Sequence, residues 1–491
     1  MKTFLLLTLL MTTMIGETLA AIDFEQDLFN LFLKSSPYLA LREKAKAEWY
    51  VHQDVLRKSE LSLSSRAYRK KAKDLATSEL NLLGRYEKED TLLNMTAEYR
   101  FKNSPILSSL ALAASVDFHK YGYQTIDSSY KPQSYDAKEF GLTLSYDLAK
   151  GGKNDFTYIN SRIEKNIKAR SYFENLNQLK ANYISFLRQA LTLTVVNCQN
   201  KNLENSLKAI ENTLQIAEIG SQVGTYSYKD LLNVRSLKNI VENRKLLAEV
   251  NYQTNLQKIS LYGEEAQSFL TKTLIDDKFC QTFLGQRANN SNQVVELDRA
   301  NKVFFKTLPS KILNHSISES RNKLNLTQVN RRPAVRPYVK NTAANENILG
   351  VEEKKIEVGI TMDWDVPFAY SFATTRSEIA TLNSLQTQMK LTETNYYNDV
   401  KNLNSRSNFL LKLIANVKKT VEINDEILKI LSTQRSIGKT DSLTLTNAFL
   451  NKNESLNQLY ESNSEIILNN AQYFYEISWK LFLKDSSKSA L

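Results

Sequence analysis

The sequence predicts a mainly α-helical protein with a small β part, the whole plan written twice along one chain. Three observations carry that reading. The chain holds only 13 Gly and 7 Pro, and none falls between Lys153 and Ile219, between Thr225 and Tyr262, between Ser371 and Ile437, or after Gly438. Breaker-free segments of that length, rich in Leu, Lys, Glu, Asn and Ser, read as very long helices. Next, GLTLSYDL at 141–148 and GITMDWDV at 359–366 match nearly type for type, 218 residues apart. Finally, Gly224 and Gly438 each interrupt a pair of such helices and lie 214 residues apart. The near-equal spacings mean that strand, long helix, tip and returning helix form one unit that occurs twice.

Lys2, the apolar run FLLLTLLMTTMI and the small residues Gly16, Thr18 and Ala20 lay out a secretory signal peptide over residues 1–20, with the mature chain beginning near Ala21. No later run reaches about 18 apolar residues, so no transmembrane helix is expected. No cysteine precedes Cys198, which excludes an acylated cysteine just after the cut. The formal charge is +11. Lys and Arg are nevertheless spread between acids along helical faces, and an exported chain meets no genome, so no nucleic-acid partner is expected.

The first repeat spans 21–263. Ser36-Pro37-Tyr38 opens its first helix. Lys153 to Ile219 gives 67 residues, a helix on the order of 100 Å long at the usual rise. Leu203, Leu207, Ile210 and Leu214 follow coiled-coil spacing, so the helix needs a partner along its length. Its tip lies at 220–227, where Val223-Gly224-Thr225 ends one helix and Ser227, with Asp230 three residues on, opens the next as a capping box does. A connector over 264–308 leads to the second repeat, 309–483, opened by Leu308-Pro309-Ser310. Its long helix carries Ile414, Val417, Val421, Asn424, Leu428 and Leu431 at the same spacing. Asn424 either fixes register in that seam or faces water. The second tip spans 436–441, with Ile437-Gly438-Lys439 and a restart at Asp441, and residues 484–491 form a flexible tail. The repeats differ upstream: 104 residues separate Pro37 from Gly141, but only 50 separate Pro309 from Gly359.

The repeated strands are two-faced. Leu142, Leu144, Tyr146 and Leu148 alternate with Thr143, Ser145 and Asp147, and Ile360, Met362, Trp364 and Val366 alternate with Thr361, Asp363 and Asp365. Leu110, Leu112, Ala114, Val116 and Phe118 repeat the pattern in a partner strand. A soluble sandwich has such strands, and so does a membrane barrel with an apolar exterior, a wet interior and aromatic residues such as Tyr146 and Trp364 at its rim. Four strands per chain cannot close a barrel, for which about eight is the lower limit, so several chains must share one. Ala97, Tyr99 and Phe101 also alternate with charged residues. A fifth strand does not fit a four-per-chain plan, and Pro105 is read as bending one long strand.

With these residues in view the chain resembles the TolC-like outer membrane efflux proteins over almost its whole mature length. Ser145-Tyr146-Asp147-Leu148-Ala149-Lys150-Gly151-Gly152 is similar to the family's strand-to-helix junction, although Asp147 and Asp365 stand where the family has Pro and Lys150 where it has Asp. Val223-Gly224-Thr225-Tyr226-Ser227-Tyr228-Lys229-Asp230-Leu231-Leu232 resembles its first hairpin tip. The resemblance implies long coiled-coil hairpins forming a periplasmic tunnel, and a homotrimer in which each chain gives four strands to one 12-stranded outer-membrane barrel. It also implies a periplasmic adaptor (membrane fusion protein) and an inner-membrane pump as partners, docking at Val223, Gly224, Thr225, Ile437, Gly438 and Lys439. Leu142, Leu144, Tyr146, Ile360, Met362 and Trp364 would face outer-membrane lipid. Where relatives place pore-constricting acids this chain has Thr444 and Asn447, leaving Asp230 and Asp441 as candidate acids near the mouth; helix capping explains both acids equally well.

Enzyme chemistry is not expected. His52, His119 and His315 have no metal-ligand spacing, and no phosphate loop, nucleophile elbow or Cys-x-x-Cys occurs. No cofactor, metal or catalytic residue is assigned. Two classes remain, an export duct in the bacterial outer membrane that extends into the periplasm, and a secreted periplasmic coiled-coil adaptor or scaffold. Cys198 and Cys280, bound for an oxidising compartment, are either bridged or two separate buried thiols.

Overall fold

The structure is a computed structural model that describes residues 26–55, 60–74, 86–100, 110–125, 133–148, 151, 155–275, 279–280, 303–346, 351–363, 370–436, 440–477 and 479–483. The elements run α1 (Ser36–Asp54), β1 (Glu60–Asp74), β2 (Tyr86–Arg100), β3 (Leu110–Thr125), β4 (Gln133–Tyr146), α2 (Phe156–Gln222), α3 (Tyr228–Ser260), α4 (Glu264–Ile275), α5 (Leu308–Val329), β5 (Ala334–Glu346), β6 (Val351–Asp363), α6 (Tyr370–Ser436) and α7 (Ser442–Ile477). Both α2 and α6 are 67 residues long. The mainly helical fold, its long hairpins and its duplicated plan are those the sequence predicts. Two compact units emerge, each drawing on both repeats: Met1–Ala45, Phe173–Lys311 and Lys390–Leu491 in one, Lys46–Tyr172 and Ile312–Met389 in the other.

The strand count corrects the expectation of four strands per chain. The described strands form one six-stranded sheet in the order β1-β2-β3-β4-β5-β6. Every neighbouring pair is antiparallel, including β4 with β5, which joins the two repeats. The 54 extra residues of the first repeat are thus largely the hairpin β1–β2, and Ala97 and Tyr99 belong to a strand of their own. Pro105, expected to bend one strand, lies outside the described residues.

Beside the sheet, in the same unit, the start of α2 packs Ile159 and Ile163 against Val329 of α5, with Ile167 and Leu326 adding to the cluster. Asp155 caps α2 by accepting the N–H of Tyr158 at 2.8 Å, so the helix begins just after the predicted Lys153. Buried Glu319 accepts Arg170 at 2.6 Å and Lys323 at 2.7 Å. Both described histidine rings take structural contacts here: His52 Nδ1 lies 2.9 Å from the Lys165 carbonyl, and His315 Nδ1 lies 3.1 Å from the Asn166 side-chain oxygen.

In the other unit the predicted seams form. Ile210 is buried with Ala217, Leu231, Val234 and Val241, flanked by Leu203, Leu207 and Leu214. Ile414 and Val417 are buried with Leu410, Leu459 and Ile466. Asn424 donates to Ser455 Oγ at 3.1 Å, so this seam residue pairs across helices. The same unit holds an aromatic knot, with Phe29, Phe32, Tyr183, Tyr475 and Phe482 in ring contact and Tyr38 donating to the Phe482 carbonyl at 2.8 Å. Cys198 and Cys280 are joined by a disulfide, their Cα atoms 5.8 Å apart.

Candidate functional site

Two places carry functional potential, the sheet and the hairpin tips. On the sheet, strand register decides which side chains share a face. Leu63, Ala97, Ala114, Leu142, Asn341 and Ile356 stand in one row across all six strands. Because side chains alternate by two, this face also carries Met95, Leu112, Phe118, Phe140, Leu144, Val339, Val358, Ile360 and Met362, all exposed. Leu144 is 45% exposed and Val358 74%. Soluble domains bury such a face, and exposed apolar patches of this extent mark contact with lipid or protein. Along β6 the band from Ile356 to Met362 is about 20 Å of extended chain. Of the residues expected to face lipid, Leu142, Leu144, Ile360 and Met362 lie exposed on this face and Tyr146 half-buried on it. Trp364 lies outside the described residues.

The opposite face is polar and cross-linked. Asn94 donates to Asp117, Tyr338 donates to Glu357 at 2.5 Å, and Lys340 lies 3.5 Å from Glu139. Arg336 reaches both Asp147 at 3.4 Å and Asp363 at 3.7 Å. The repeated strand glycines sit on this face for a steric reason. A Cβ at Gly359 would lie 2.6 Å from the Tyr338 hydroxyl, and one at Gly141 would lie 2.6 Å from Ser115 Oγ. Each glycine makes room for a cross-strand neighbour, which explains why both copies of the motif begin with Gly. Sequence spacing located the two faces but not these pairs, which depend on a register that only the folded sheet fixes.

At the first tip, Gly224 turns the chain with φ +80°. Thr225 and Tyr226 both donate backbone N–H groups to the Gly220 carbonyl, at 2.8 and 3.1 Å, closing the end of α2. Val223, Gly224 and Thr225 are exposed, Val223 at 73%. Ser227 caps α3: the Asp230 N–H donates to Ser227 Oγ at 3.1 Å, and that hydroxyl donates to Asp230 Oδ2 at 2.6 Å. Asp441 accepts the N–H of Thr444 at 2.6 Å. Asp441 therefore caps α7 and Asp230 supports the Ser227 cap of α3, while Thr444 and Asn447 are exposed and neutral. Ile437, Gly438 and Lys439 lie outside the described residues. Among the described residues no group of three His, Cys, Asp or Glu could hold a metal ion, and no helix is long and apolar enough to cross a membrane.

This pairing of a two-faced sheet with long helical hairpins is the fold of the TolC-like outer membrane channels. The crystal structure of the outer membrane protein VceC from Vibrio cholerae matches with a TM-score of 0.61 at 12% identity, over 92% of this chain and 95% of that one. The outer membrane channel CmeC from Campylobacter jejuni matches at 0.58 and 10% identity, over 92% and 85%. The outer membrane channel MtrE of Neisseria gonorrhoeae, in its open state, matches at 0.52 and 10% identity, over 92% and 88%. No protein-family model and no curated protein matches the sequence.

Proposed function

We propose that the chain is one subunit of a homotrimeric export channel in the bacterial outer membrane, a passive duct that extends into the periplasm and has no catalysis of its own. One observation carries this reading: an exposed, mainly apolar face with large hydrophobic residues on all six strands, backed by a polar face whose charged groups pair across strands. Lipid suits the first face and water the second, which is the requirement on a spanning barrel. The long hairpins supply the walls of a periplasmic tunnel. The exposed turn at Val223–Thr225, at the end of rigid helices, suits docking of a periplasmic adaptor that recruits an inner-membrane pump. The same role is assigned to Ile437, Gly438 and Lys439.

Membrane fractionation tests the reading. The protein is expected in the outer membrane and, once extracted in detergent, at three times the mass of the mature chain. Recovery as a soluble periplasmic monomer would instead identify a secreted coiled-coil scaffold.

A further inference from the structure

We infer that three copies close an eighteen-stranded barrel, β1 of each chain pairing with β6 of the next. The inference rests on the channel reading above and adds the strand number and the seam. Three features of the sheet carry it.

First, among the described residues β1 and β6 each have a single neighbour in the sheet. Soluble proteins blunt such edges with short strands, prolines, bulges or charged side chains. Here β1 is 15 residues long and β6 13, neither contains proline, and β1 pairs with β2 without a bulge from Glu60↔Arg100 to Asp74↔Tyr86; charge gathers only towards the loop ends, in RKKAK and EEKK, and leaves the other half of each edge open to pairing. Second, the apolar band reaches both edges, through Leu63 on β1 and Ile356, Val358, Ile360 and Met362 on β6, all exposed. A soluble sheet that merely ended there would leave greasy, hydrogen-bonding edges in water.

Third, six strands in antiparallel order leave β1 and β6 antiparallel to each other. A copy's β6 therefore continues the alternation when it pairs with β1, and the ring closes without a parallel seam. Towards its loop end β1 reads RKKAK, and β6 leaves its own loop as VEEKK, so Glu352 and Glu353 are the acids β6 brings to that end of the seam. One chain alone falls below the roughly eight strands a barrel needs, whereas three sheets of six give eighteen, a size that leaves an aqueous lumen. Because diameter grows about linearly with strand number, this barrel is about half again as wide as one of twelve strands.

Disulfide mapping on the mature chain, with Cys198 and Cys280 in place, tests the seam. Ser64→Cys on β1 would be combined in turn with Lys355→Cys, Thr361→Cys or Asp363→Cys on β6, all on the polar face. The expected result is that at least one pair, oxidised in outer membranes, gives a ladder that ends at three times the chain mass on a non-reducing denaturing gel. If each chain contributed only four strands, β3 would be the seam; Ala113→Cys would then link to the β6 cysteines while Ser64→Cys would not, overturning the inference. A ladder ending at two chains would overturn it as well. Should the variants fail to assemble, strand counting by cryo-electron microscopy of the unaltered trimer decides: eighteen supports the inference and twelve overturns it. A membrane trimer with the wrong seam sinks only this inference, whereas a soluble monomer sinks the channel reading beneath it.

Discussion

The phenol oxygen of Tyr226 accepts a hydrogen bond from the backbone N–H of Ser442 at 3.3 Å. That N–H is one of the donors left without a helical partner at the start of α7, so the first hairpin tip satisfies the first turn of the second returning helix. Tyr226→Phe keeps the ring that packs beside the core at Leu231 and Val234 and removes only this acceptor. The expected cost is about 0.5–1.5 kcal/mol, local to the start of α7. Hydrogen exchange should speed up in residues 442–446 while trimers persist; unchanged protection there would show that the contact does not hold the two tips together.

Gly224 sits at φ +80° with nothing within 4 Å of an added Cβ, so a substitution meets backbone strain and no clash. Valine there should cost about 1–3 kcal/mol and reshape the turn, whereas asparagine tolerates this conformation. The Gly224→Val protein is expected to reach the outer membrane as a trimer and lose export, with Gly224→Asn close to normal. Loss of the trimer itself would assign the tip to folding instead of docking.

The two faces of β4 should respond in opposite ways to charge. Leu142 lies mid-band between Phe140 and Leu144, and an Arg there should cost about 2–4 kcal/mol if it meets lipid near the bilayer midplane. Thr143 is on the polar face opposite Lys340, so Thr143→Glu gains a cross-strand partner. Membrane assembly should fail or weaken for Leu142→Arg and survive for Thr143→Glu. Equal tolerance at both positions would contradict a lipid-facing band.

Much of this was legible because it is periodic. Helices of 67 residues follow from the absence of breakers, and the strand faces from a period of two. The hairpin β1–β2 escaped because β1, ELSLSSRAYRKKAKD, alternates only through Leu61 and Leu63 before it turns basic, so its apolar signal fades partway along the strand. Tyr338 over Gly359 and Tyr226 on Ser442 were out of reach for a different reason. Each joins segments whose juxtaposition depends on register or on hairpin packing, and no local pattern encodes either.

Asp230 and Asp441 were readable as mouth acids or as caps; the hydrogen bond that Asp441 accepts from Thr444 favours the second role for it, and the Asp230 carboxylate accepts the hydroxyl of the Ser227 cap. The roles separate experimentally because asparagine caps a helix nearly as well as aspartate but carries no charge. Asp441→Asn should leave assembly and the cation-to-anion permeability ratio of the reconstituted channel unchanged, while Asp441→Ala should cost about 1 kcal/mol through loss of the cap. A marked change of ion selectivity in the asparagine variant would restore Asp441 as a pore charge.

The bridge between Cys198 and Cys280 closes a long loop, with a sequence separation of 82. That loop contains the last part of α2, the first tip, α3 and α4, so the disulfide ties the first half of the connector back to the middle of a long helix. Both cysteines are buried, at 1% and 5% exposure, where a reductant reaches them only after local opening. In the chain-entropy model, cross-linking a loop of this size restricts the unfolded chain by about 4–5 kcal/mol. Replacing both by alanine removes the cross-link without leaving a lone thiol. The double variant should therefore fold in the same architecture yet lose structure at a lower temperature than the oxidised protein, and reductant should no longer shift its midpoint. The unreduced natural protein should take up no alkylating reagent under denaturing conditions. Alkylation of both cysteines without reduction would show that the bridge does not form in the cell, and an unshifted midpoint in the double variant would show that it forms without stabilising the fold.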